Sequence, residues 1–148
     1  MQIEWRLKKF NELTPHELYA ILQLRIEVFV VEQHCVFQDA DDKDQESHHL
    51  MGWQENKLVA YTRLVPPGHI YEQASIGRVV TSPIVRRYGA GKQLMQESIK
   101  AIYQLFGNDP IKIGAQFYLK NFYESFGFKQ ISDIYLEDGI EHIYMLKS

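Results

Sequence analysis

The sequence predicts a single mixed α/β domain, and three observations carry that prediction. Its 148 residues suit one hydrophobic core. Runs with strand-like alternation interleave with runs of helical period along the chain. Between one such strand and the next helix lies a glycine-bearing basic loop, RRYGAGK, at residues 86–92. The composition, 45% apolar and 24% charged, is that of a globular chain rather than a disordered one.

The elements follow in order. IEWRL at residues 3–7 alternates apolar and polar and predicts a short first strand. Thr14 is a suitable N-cap, Pro15 fits the first helical position, and Glu17 completes a capping box. Leu18, Ile21, Leu22, Arg25, Val28 and Phe29 then recur at helical spacing, so the helix is expected to run into EVFVVEQ. The polar run at residues 38–46 cannot bury an apolar face and is expected as a solvated loop.

HHLMGWQ and KLVAYTRLV form a predicted hairpin about Glu55-Asn56, and the Pro66-Pro67-Gly68 run ends it. SIGRVVT at residues 75–81 is a third central strand, stopped by Pro83. An amphipathic helix over 90–106 carries Leu94, Met95, Ser98, Ile102 and Leu105 on one face, with Gly107-Asn108 as its stop. A buried-looking strand at 111–115, a short helix over 119–126 broken by Gly127, and two further strands complete the pattern.

Several function classes fall away on composition. A net charge of −3 gives no electrostatic footprint for nucleic acid. The single cysteine, Cys35, offers neither an internal disulfide nor a thiol framework for a metal, and reads as packing. No stretch approaches the ~20 apolar residues of a spanning helix, and MQIEWRLKKF lacks an apolar signal-peptide core. A cytoplasmic domain with no membrane partner is expected. The acidic run DADDKDQE departs from a calcium loop, with Lys43 at a ligand position and no turn glycine. No metal is expected.

The glycine loop carries the chemistry. At a helix N-terminus the backbone N–H groups converge on one point, where the helix dipole adds roughly half a positive charge. Gly89 and Gly91 permit backbone approach that a Cβ would block, while Arg86, Arg87 and Lys92 add charge. The loop is not a Walker A sequence, because Arg86 and Gln93 stand where glycine and Ser/Thr are required. It is not a GxGxxG dinucleotide fingerprint either, since position 94 is leucine. What remains is Arg-x-x-Gly-x-Gly, followed downstream by Tyr123 and then Gly127-Phe128 in YESFGF.

In these two motifs and their spacing, the sequence resembles the GNAT superfamily of N-acetyltransferases over essentially its whole length. LRIEVFVVEQHCVFQDADDKD, IGRVV and YLEDGIEHIYM further resemble the ElaA-like subfamily. The resemblance implies a mixed, mostly antiparallel twisted sheet of about six to seven strands flanked by about four helices. A splayed parallel pair of strands would hold the cosubstrate, acetyl-coenzyme A. It implies backbone contacts from Val79, Val80 and Thr81 to the pantetheine arm. Arg87, Tyr88, Gly89, Ala90, Gly91 and Lys92 would offer amides to the pyrophosphate, with Arg86 and Lys92 assisting by charge. Gln116 matches a polar contact to the same molecule, and Tyr123 matches the tyrosine that protonates the departing thiolate. The implied activity is direct acetyl transfer to a small-molecule or peptide amine in a ternary complex. A homodimer is compatible with the resemblance.

The acceptor side is less determined. Some relatives place a glutamate on the central strand as base, but residues 75–78 here hold no carboxylate. That departure keeps a second reading open, an acyl-coenzyme A-binding or sensing module on the same fold. Glu32, His49 and His142 are the alternative bases. Arg63 and Arg78, in predicted central strands, either bind an acceptor carboxylate or form internal pairs with Glu27 or Glu32. Gln33 and Tyr61 are further candidates for the acceptor pocket.

Overall fold

Eight strands form two sheets that touch through one parallel bridge. The structure, a computed structural model, describes residues 2–148. The first sheet holds β1 (Glu4–Lys9), β2 (His48–Gln54), β3 (Lys57–Val65) and β4 (Ser75–Thr81), each antiparallel to the next. The second holds β5 (Ile111–Gln116), β6 (Phe128–Gln130), β7 (Tyr135–Glu137) and β8 (Ile140–Lys147). There β8 is central, with β5 on one edge and the short β6 and β7 in succession along the other. Ala74 pairs in parallel with Ile111, and the Lys112 amide donates to the Ala74 carbonyl at 3.0 Å. Past that point β4 and β5 do not pair, so they splay and leave two strand edges facing a gap.

Side-chain alternation along β2 and β3 decides which helix lies on which face. Ile21 and Leu24 of α1 (Pro15–Arg25) pack with Met51, Tyr61 and Val80 on one side of the first sheet. Leu94, Met95 and Ile102 of α2 (Ala90–Phe106) pack with Leu50, Ala60 and Leu64 on the other. Each such buried aliphatic side chain contributes about 1.5–3 kcal/mol of apolar transfer. That second cluster continues into the other sheet through Ile113, Ile143 and Met145, and takes in Tyr123 of α3 (Lys120–Glu124).

The capping box at Thr14 forms as expected: the Glu17 amide donates to Thr14 Oγ1 at 3.1 Å, and the Thr14 amide to Glu17 Oε1 at 2.9 Å. The helical run beyond Arg25 is not α-helical. Residues Ile26–Glu32 form a π-helix, with the Gln33 amide bonded back five residues to the Val28 carbonyl at 3.1 Å. This widened turn brings Val28, Phe29, Glu32 and Gln33 to the gap between the sheets. π-Turns of this kind frequently sit at functional sites.

Two further expectations need correction. One more short strand is present than the sequence suggested, because residues 131–134 interrupt the edge strand that β6 and β7 share along β8. The acidic run is not a solvated loop. Asp39 and Asp44 are buried, and with Asp41 they meet Arg25, Arg63 and Arg78 in a six-charge cluster beneath α1. Arg25 Nε donates to Asp39 Oδ2 and Arg25 Nη1 to Asp44 Oδ1, both at 2.8 Å. Charges of opposite sign 14 to 39 residues apart in sequence let this segment bury carboxylates that isolated burial would forbid.

Candidate active site

A cleft of about 860 Å³ opens where β4 and β5 diverge. β4 and β5 form its floor, the π-helix and residues 33–41 one wall, and α3 with the β7–β8 turn the other. Its two ends are built from different materials.

One end is backbone. Ser82 caps a 3-10 turn over Pro83–Tyr88, so the expected open loop is wound. Gly89 then takes a left-handed conformation (φ 74°), which a side chain would strain, and α2 begins at Ala90. The Gln93 amide is the first to close a helical turn, onto the Gly89 carbonyl at 3.1 Å. The amides of Ala90, Gly91 and Lys92 therefore precede the helical ladder, as at any helix N-terminus. Gly91 borders the cleft, and a Cβ there would lie 3.8 Å from Phe122 Cζ, so the protein itself leaves room above it. Tyr88 is exposed and does not line the cleft.

The loop cations divide unexpectedly. Arg86 is engaged: Nη1 and Nη2 donate to Glu32 at 2.7 and 2.6 Å, and Nη2 also reaches the Thr81 carbonyl at 3.2 Å. This fork holds the Glu32 carboxyl below its usual range, and Glu32 in turn raises the guanidinium. Glu32 is thus an ion-pair partner rather than a free base. Among the described residues, no carboxylate lies within ion-pair distance of Arg87 or Lys92, and neither side chain lines the cleft.

Midway along the cleft, β4 bulges. Register slips between Tyr61 and Arg63 of β3, and Arg78 takes a left-handed backbone (φ 52°), uncommon for a residue with a Cβ. Its guanidinium ties the bulge to the opposite wall: Nε donates to Asp39 Oδ1 at 2.9 Å, and Nη2 to the Asp39 carbonyl at 3.0 Å. Val79, Val80 and Thr81 follow, with their free strand edge on the cleft. Tyr123 lines the same stretch, its ring buried against Phe122 and Phe128. Burial, with a smaller contribution from Tyr118, raises its phenol well above the usual value.

The other end is made of side chains. His142 is 8% exposed and lies opposite Gln116 across the β5–β8 ladder. Its Nδ1 is 2.8 Å from the Ile140 carbonyl, which can only accept, so Nδ1 carries the hydrogen. Nε2 lies 3.5 Å from Glu137 Oε2. Gln116 Nε2 donates to Gln33 Oε1 at 3.3 Å, closing the wall at this point. Cys35 also reaches the cleft, its thiol directed to the Asp138 carbonyl at 3.5 Å.

Three predicted acceptor residues lie elsewhere. His49 is fully buried under α1, with Nε2 on the Asp44 carbonyl at 2.9 Å and Nδ1 on Tyr61 Oη at 2.6 Å. Burial pushes its imidazole down, so it stays neutral. Tyr61, fully buried, completes that pair. Arg63 donates to Asp41 at 2.7 Å and Asp44 at 3.0 Å, not to Glu27 or Glu32. For Asp41, burial works upwards, yet the bond and charge from Arg63 and the charge of Arg78 hold its carboxyl at about 2. None of His49, Tyr61 and Arg63 reaches the cleft, whereas Glu32, Gln33, Arg78 and His142 do. Sequence reading missed Asp39, Asp41, Glu137 and Asp138. The Asp138-Gly139 turn signal alone could have placed the last two beside the site.

A splayed strand pair, a bulge at its opening and a glycine-led helix start together define the acyltransferase fold of the GNAT type. The acetyltransferase (GNAT) domain profile matches residues 13–148, and the chain belongs to that family. Within it the chain falls in the ElaA-like subfamily. It is 42% identical over 147 residues to Protein ElaA of Escherichia coli K12, covering 98% of this chain and 96% of that one. A crystal structure of E. coli ElaA superposes with a TM-score of 0.93 at 41% identity, covering 99% and 100% of the two chains. An acyl-CoA N-acyltransferase from Pseudomonas aeruginosa superposes at 0.95 with 43% identity and the same coverage. No helix is long and apolar enough to cross a membrane among the described residues.

Proposed function

We propose that this chain transfers an acetyl group from acetyl-coenzyme A to an amine, by direct attack within a ternary complex. The observation that carries the proposal is one continuous cleft bordered by Gly91 at the start of α2, the free edge of β4, Tyr123 and His142. The amides of Gly89 to Lys92, with Arg87 and Lys92, suit a pyrophosphate. The edge of Val79, Val80 and Thr81 suits the amide-bearing pantetheine arm, which can pair with it as a strand would. Gln116 borders the same path. Arg86 acts at one remove, fixing the π-helix to the loop through Glu32.

Attack requires an unprotonated amine, a polarised carbonyl and a proton for the leaving sulfur. The bulge directs the β4 backbone just past Arg78 into the cleft, where an N–H can stabilise the oxyanion as charge develops. His142, its Nδ1 hydrogen held by the Ile140 carbonyl, presents Nε2 as the proton acceptor. The imidazolium so formed is stabilised by Glu137 and by the Ile140 carbonyl. This pair supplies a base although β4 holds no carboxylate. Tyr123, kept protonated by burial, is a permanent hydroxyl donor to the departing sulfur. Holding both reactants in one cleft adds the usual advantage of proximity.

Thiol release from acetyl-coenzyme A over a panel of amines tests this reading. Acceptor-dependent release is expected, and Tyr123→Phe should slow turnover roughly 10–100-fold while leaving coenzyme A affinity within about twofold. Unchanged turnover would remove Tyr123 from the mechanism. Firm binding without release on any amine would instead favour a sensing module.

A further inference from the structure

We infer that the acceptor is an aliphatic diamine or longer polyamine without a carboxylate, held at the His142 end of the cleft. The inference rests on the acetyltransferase reading above and deepens it. Its basis is the balance of charge at that end. The only arginines lining the cleft are Arg78 and Arg86, and both are occupied. Arg78 is bonded to Asp39 and Asp41, and Arg86 is forked onto Glu32. No lysine lines the cleft. Lys112, two residues along β5 from Gly114, turns its Nζ onto the faces of Tyr71 and Tyr144, at 4.8 and 4.7 Å. A carboxylate entering this end would meet no uncommitted cation.

The opposite holds for an ammonium group. Glu137 and Asp138 line the cleft, and among the described residues neither carboxylate has an arginine or lysine partner. Glu137 has the His142 ring beside it, Nε2 lying 3.5 Å from Oε2. Beside them the hydroxyls of Tyr71 and Tyr135 converge over Gly114, 3.2 and 3.0 Å from where a Cβ would stand. Gly114 itself lines the cleft. Tyr71 and Tyr135 do not themselves line the cleft, so the excess negative charge at this end is that of Glu137 and Asp138, close to the proposed base. One amine of the acceptor would lie against His142, and a second, still protonated, against Glu137 and Asp138.

The reaction balances as a simple transfer. The reacting ammonium loses one proton to reach the nucleophilic amine, and a second as the C–N bond forms and the C–S bond breaks. His142 takes one and passes it to solvent; Tyr123 gives its proton to the sulfur, which leaves as a thiol, and regains the amine's other proton.

Three amines with one carbon skeleton isolate the two charges: n-pentylamine, cadaverine and L-lysine. The expected order in kcat/KM places cadaverine about tenfold above each of the others, the size that a few partly screened ion pairs support. The double variant E137Q/D138N should reduce the cadaverine-to-pentylamine ratio about fivefold. Its KM for acetyl-coenzyme A should stay within about twofold, which also reports that it folds. Asparagine suits the left-handed backbone of Asp138 (φ 52°). L-Lysine equal to cadaverine, pentylamine equal to cadaverine, or a ratio indifferent to the double variant would each overturn the inference. So would the absence of thiol release with all three. In that case coenzyme A titration separates the two failures: retained binding leaves the donor reading intact, and lost binding removes it as well.

Discussion

The glycine-loop end and the His142 end of the cleft are made by different means. At the first, the surface is built from main chain on a local strand–turn–helix, with Gly89 in a left-handed backbone and Gly91 on the cleft. At the second it is built from side chains brought together from the π-helix, the acidic segment, the β4 bulge and the β7–β8 hairpin. A backbone site depends on a few residues at fixed spacing. A side-chain site depends on distant partners, and so can vary without disturbing the first.

The comparison can be broken from either side. The largest effect is expected from Gly91→Glu, which places bulk and negative charge beside the helix-start amides. Coenzyme A affinity measured by calorimetry should fall at least ~100-fold with little change in melting temperature. Retained affinity would relocate the pyrophosphate. Next comes Arg25→Met, at the centre of the six-charge cluster. It leaves Asp39 and Asp44 buried and short of a partner, at a cost of about 3–5 kcal/mol in urea unfolding. A smaller loss would mean that the cluster does not hold the acceptor wall.

A smaller effect is expected in acid. Asp41 titrates at about 2 in the folded chain against an ordinary 3.8, and Asp44 is likewise lowered. A depressed carboxyl stabilises the fold above its unfolded pKa, and that stability is lost as pH falls through the folded value. Asp41 alone should contribute about 2 kcal/mol that disappears between pH ~4 and ~2. Acid titration of Asp41→Asn should show correspondingly less loss in that window. An identical acid profile would sink the assignment.

Legibility in the sequence followed the same division. The capping box at Thr14, the turn at Glu55-Asn56 and the helix from Ala90 were readable because their causes lie within a few residues. The short helix that carries Tyr123 was readable for the same reason. The acidic run was misread because burial of Asp39 and Asp44 depends on Arg25, Arg63 and Arg78, which no local pattern links to them. His49 and His142 look alike in the sequence. Only the alternation of β2 and β8 sends one beneath α1 and the other into the cleft. The shift to a π-helix at Ile26 left no sequence signal that we can identify.

Calorimetric titration of the wild-type chain with coenzyme A tests the central claim most directly. One molecule bound per chain is expected, with affinity falling as salt rises, as the proposed contact of Arg87 and Lys92 with the phosphates requires. No binding at millimolar coenzyme A would contradict the account.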